Sequence, residues 1–171
     1  LKSMEILFHK GLYGQALKLA NKARKISQDN ELFVQELVVN ELEVELMSKQ
    51  FEYQQASNSI DVAEELVQKM SNFNQYQKVT TDSYAARLEI GTSRSEEDTL
   101  RLQQFLQIEG KDEANYPKTK RAEMYQLGLH LTYYYFIGDE NKTLTLTEQM
   151  TQLYETNPFL IEYSTIGYVS S

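Results

Sequence analysis

Residues 10–23, KGLYGQALKLANKA, set a polar, glycine-bearing turn in front of a run that opens on the small residue Ala16. The phrase returns as KQFEYQQASNSIDVA over residues 49–63, GTSRSEEDTLRLQQFL over 91–106 and GDENKTLTLTEQM over 138–150. With Ala16, Ala56, Thr99 and Thr143 as the equivalent position, the intervals are 40, 43 and 44 residues. A recurrent period in this range marks a helical repeat array, in which each helix pair buries its apolar face by stacking on the next.

Composition agrees with that reading. The 171 residues are 41% apolar, enough for a real core, and hold only seven Gly and two Pro, too few for the many tight turns of an all-β fold. No run approaches the roughly 18 apolar residues that a spanning helix needs, which argues against a membrane. The absence of cysteine excludes disulfides, thiolate metal sites and a cysteine nucleophile. The net charge of −8 is unevenly spread: residues 1–30 carry six Lys/Arg against two Asp/Glu, and residues 31–66 one Lys against nine acids. A nucleic-acid surface would be basic over a connected face, so no nucleic-acid partner is expected through this domain. The compartment is left open by these features, with the cytoplasm slightly favoured. The chain opens on Leu1 and stops at Ser171 in a segment that still reads as helical, as a piece of a longer protein would.

Apolar periodicity predicts helices over residues 1–10, from Tyr13, over 31–49, 51–70, from Ser71 to about Gly91, after Ser95, after Pro117 to Gly138, over 139–154, and from Phe159 onward. Asp29 or Asn30 is the expected cap of the third, whose core residues are Leu32, Phe33, Leu37, Leu42, Leu46 and Met47. Ser95-Glu96-Glu97-Asp98 reads as a cap followed by acids that favour the helix dipole. Pro117 suits the first turn of the next helix, and residues 109–118 the longest loop. The units implied are 1–30, 31–70, 71–109, 114–156 and a partial 157–171, all within a single repeat domain.

Ala16-Leu17-Lys18-Leu19-Ala20-Asn21-Lys22-Ala23, with Ile26 and Asn30 beyond it, resembles the second helix of a tetratricopeptide repeat. Ala56, Ile60 and Ala63 meet the same pattern, and Gly138-Asp139 is similar to the family's turn. The chain departs from the family in having no Trp and in an interval longer than the family's roughly 34 residues. The resemblance implies an all-α, right-handed superhelix of about four helix pairs plus a terminal helix, with another αα-solenoid or an irregular bundle as alternatives. It also implies a concave face that holds a peptide. Carried onto this chain, the groove positions are Glu41, Glu45, Lys49, Tyr84, Leu88, Tyr125, Thr132, Tyr135 and Phe136. Such a groove is acidic at one end and aromatic at the other, suited to an extended segment with basic and apolar side chains.

Catalytic signals are weak. His9 and His130 belong to no HExxH arrangement, and Gly11 and Gly14 lack the following Lys-Ser/Thr of a phosphate loop. The acid runs Glu64-Glu65 and Glu96-Glu97-Asp98 point in different directions on a helix, and Lys118-Thr119-Lys120-Arg121 is a short basic cluster beside a loop. Tyr133-Tyr134-Tyr135-Phe136 is more informative, because consecutive aromatic residues on a helix cannot all face one core. The expected role is a non-catalytic protein- or peptide-binding scaffold needing no cofactor and no metal; the alternative is a ligand- or peptide-sensing domain of a larger regulator. A homodimer through the apolar C-terminal end is a further expectation.

Overall fold

Among the described residues, four helix ends close in the same way. The computed structural model describes residues 2–91, 95–109 and 115–163. In it α1 (Lys2–His9), α2 (Tyr13–Asp29), α3 (Phe33–Lys49) and α4 (Tyr53–Ile90) follow one another through turns at Gly11, Glu31 and Phe51. These turn residues have φ of 73°, 49° and 61°. At each, one N–H reaches back three residues and the next reaches back five: Gly11 to Phe8 and Leu12 to Leu7, Glu31 to Gln28 and Leu32 to Ser27, Phe51 to Ser48 and Glu52 to Met47. The paired bonds satisfy carbonyls that a helix end would otherwise leave open. Asn30 therefore ends α2, its amide donating to the Ile26 carbonyl at 2.8 Å, instead of capping α3, whose N-cap is Leu32.

The turns at 11, 31 and 51 are evenly spaced, and the next step falls on Ser71, where a new helix is expected. α4 instead runs through Ser71 as one helix of 38 residues and ends at Gly91, with φ 67°. No Gly or Pro interrupts residues 53–90, and the buried positions Leu66, Phe73, Tyr76, Thr80, Ser83 and Ala86 keep helical spacing across the expected break. An unbroken stripe can be buried without a turn, so none forms.

Beyond Gly91 come α5 (Glu96–Gln103), a 3-10 turn over Gln104–Glu109, α6 (Lys120–Ile137), α7 (Glu140–Thr156) and α8 (Phe159–Tyr163). Among the described residues there is no strand, and the fold is all-α as the periodicity predicts. Ser95 caps α5 in a full capping box with Asp98. Thr119 caps α6, which places Pro117 before that helix and not inside its first turn. Gly138, with φ 77°, closes α6 with the same pair of bonds, Gly138 to Tyr135 and Asp139 to Tyr134. Asp139 then caps α7, and Asn157 ends it before Pro158. The rest of the expected terminal helix lies outside the described residues.

Two compact units result, Leu1–Met70 and Ser71–Ser171. In the first, Ala16 and Ala20 give α1 and α3 room to approach α2: Phe8 and Leu46 pack at Ala16, Met4 and Val39 at Ala20. In the second, α6 is central. Ala122 packs with Phe73 and Tyr76, Phe136 with Ala86 and Leu102, and Met124 and Leu127 with Leu153 and Leu160. The irregular stretch before α6 is pinned where it is described. Tyr76 donates to the Asn115 carbonyl at 2.8 Å, Asn72 donates to Tyr116 at 3.1 Å, and the Lys118 N–H donates to Asn72 at 2.9 Å.

Candidate functional site

An open cleft lies in the second unit. Tyr84, Arg87, Leu88 and Gly91 from the end of α4, with Thr132 and Tyr135 from α6, line an open space of about 610 Å³. Four of these six, Tyr84, Leu88, Thr132 and Tyr135, are expected groove residues, so the structure brings them together. Leu88 is 83% exposed and Tyr135 66%.

Close helix packing sets the floor of the cleft. Gly128 on α6 faces α4, and a Cβ there would lie 2.6 Å from the Tyr84 hydroxyl. The Thr80 hydroxyl donates to the Tyr125 carbonyl at 2.9 Å, tying the same two helices. The Thr132 hydroxyl donates to the Gly128 carbonyl at 2.9 Å. Burial pushes the Tyr84 phenol above its ordinary value; Thr132 opposes that shift, and Tyr154 and Tyr125 add to it.

The consecutive tyrosines divide their roles. Tyr133 packs against the cluster of Ala86, Leu102 and Phe136. Tyr134 stacks on His130 and receives the Lys142 ammonium, which lies 4.3 Å from its ring centre and donates to its hydroxyl at 3.2 Å. Tyr135 is left for the cleft. Phe136, expected in the groove, is 1% exposed and belongs to the core, with the Arg87 guanidinium 5.1 Å above its ring. Tyr125 is also drawn inward: it packs against Phe73 and accepts from Gln77 at 3.2 Å.

Glu41, Glu45 and Lys49 lie on α3 in the first unit and are exposed. Lys49 donates to Glu45 at 3.3 Å and stands 4.0 Å over the Phe8 ring. The basic cluster at the start of α6 is likewise dispersed. Lys120 pairs with Glu123 at 2.7 Å, and Arg121 covers the Phe73 ring at 4.2 Å.

Two features were not legible from periodicity. Arg87, on the last turn of α4, and Gly91, directly after that helix, both line the cleft, and the Arg87 guanidinium donates to the Gly91 carbonyl. A polar network is also buried in the first unit. Arg24 on α2 pairs with Glu43 and donates to Asn40 at 3.2 Å, and Asn40 in turn donates to the Ser59 carbonyl at 2.7 Å. Nearby, Gln28 donates to Glu36 at 2.8 Å. Glu36, Asn40 and Glu43 fall on the same face of α3 as Phe33, Val39 and Leu46. Helical spacing from Phe33 identifies that face, but the polar identities hide it.

Among the described residues no helix is long and apolar enough to cross a membrane, and no group of His, Asp or Glu is placed to hold a metal. No family model, no curated protein and no solved structure matches this chain.

Proposed function

We propose that this chain is a non-catalytic binding module of the tetratricopeptide-like kind, which holds a peptide segment of a protein partner. The observation that carries the reading is the pair Leu88 and Tyr135, large side chains open to solvent on facing walls of the 610 Å³ cleft. Covering a leucine that is 83% exposed gains on the order of 1–2 kcal/mol from apolar burial alone. A tyrosine adds contact area at small entropic cost and a hydroxyl that can bond a peptide backbone. Support for a repeat-type scaffold comes from the small-residue helices α2 and α4 and the evenly spaced turns at 11, 31 and 51.

Selection of displayed random peptides on the full chain, with counter-screening on Leu88→Glu and Tyr135→Glu, tests this. Both side chains are exposed, so the variants should fold. Selected peptides are expected to bind each variant at least about ten-fold more weakly, a loss of about 1.4 kcal/mol. Enrichment of nothing, or of peptides indifferent to both variants, would refute the proposal.

A further inference from the structure

Among the described residues that line it, the cleft carries one formal charge, and it is positive. Of its lining residues only Arg87 is charged, in a chain whose net charge is −8. The ion pairs among the described residues do not include Arg87; the neighbouring Glu89 is engaged by Arg101. Arg87 is also fixed in place. One nitrogen donates to the Gly91 carbonyl, and the guanidinium carbon lies 5.1 Å over the buried Phe136 ring. A guanidinium has five N–H donors, so the Gly91 bond leaves most of them for a ligand. A cation anchored on both sides loses little freedom when it binds an anion, and its planar fork matches a carboxylate.

From this we infer that the segment held in the cleft is acidic: a large apolar side chain seated against Leu88 and Tyr135, with an adjacent Asp or Glu whose carboxylate pairs with Arg87. This rests on the peptide-binding reading above and reverses the charge expected from Glu41 and Glu45, which are on α3 in the other unit. A basic side chain at the same place would meet Arg87 with like charge and, among the described lining residues, no acid to offset it.

The probes are short fluorescein-labelled peptide pools with a fixed central Leu-Glu, Leu-Gln or Leu-Lys, titrated by fluorescence anisotropy against the full chain. The Leu-Glu pool should bind about five-fold tighter than Leu-Gln, as a partly exposed ion pair allows, and Leu-Lys should be weakest. Arg87→Gln should erase the Glu preference, while Arg87→Lys should keep part of it. The lysine variant retains the charge, so loss of the Gly91 contact is separated from loss of the cation. Leu88→Glu should weaken all three pools. Equal binding of Leu-Glu and Leu-Gln, with Leu88→Glu still weakening both, would overturn the acidic inference and leave peptide binding standing. Failure of every pool to bind, or indifference to Leu88→Glu, would overturn both.

Discussion

Position 71 decides between a repeat with a turn every 20 residues and a single long α4, and a glycine–alanine pair there reads the backbone directly. Ser71 is exposed in the interior of α4, whereas Phe51, at the preceding turn, has φ 61° and is 79% exposed. Neither side chain buries much, so the backbone term dominates at both. In a helix interior Gly is less favourable than Ala by about 1 kcal/mol. In the left-handed region the order reverses: any residue with a Cβ incurs about 1–2 kcal/mol, against glycine's roughly 0.5–1 kcal/mol of extra freedom in the unfolded chain. Ser71→Gly is thus expected to be about 1 kcal/mol less stable than Ser71→Ala, and Phe51→Gly about 0.5–1 kcal/mol more stable than Phe51→Ala. Urea unfolding followed by far-UV circular dichroism, with unchanged denaturant slopes, measures both differences. If glycine were the better residue at 71 as well, a left-handed turn would stand there and α4 would be two helices, its buried stripe notwithstanding.

Other outcomes follow from the packing. Glu43→Leu alone should cost about 3 kcal/mol by leaving the Arg24 charge without its buried partner, and adding Arg24→Met should recover most of that loss in the same urea assay; additive losses would refute the coupling. Gly128→Ala should destabilise by about 1–2 kcal/mol, because its Cβ displaces the Tyr84 hydroxyl, and Tyr84→Phe should turn the same change neutral or favourable. Thermal melts of the two single variants and the double measure this; a Gly128→Ala loss that persists in the Tyr84→Phe background would place the clash elsewhere. The raised pKa of Tyr84 has a defined sign: above pH about 10 the unfolded phenol ionises while the folded one keeps its proton. Its contribution is complete below that pH and is lost as pH rises through the folded value, so the wild type should lose stability more steeply than Tyr84→Phe at alkaline pH. Equal slopes in urea titrations would refute the assignment.

The sequence by itself determined the helical class, most helix ends and the small-residue face of α2, because these depend on local chemistry. Gly138 permits positive φ, Ser95 and Asp139 cap, and alanines at 16 and 20 admit neighbours whatever lies further along the chain. The resemblance to the tetratricopeptide pattern implied Tyr84, Leu88, Thr132 and Tyr135 among nine groove positions, and these four line one cleft. Tertiary structure decided the rest. The turn phrase at 51 and the missing turn at 71 look alike locally, and the continuity of the buried stripe from Leu66 to Ala86 distinguishes them. Phe136 and Tyr135 are adjacent aromatics, and only the position of α4 and α5 sends one to the core and the other to solvent. Arg87 became the charge of the cleft for the same kind of reason. Its role depends on Gly91 and Phe136, which lie on different segments, and a pattern read along one helix does not contain the distance between them.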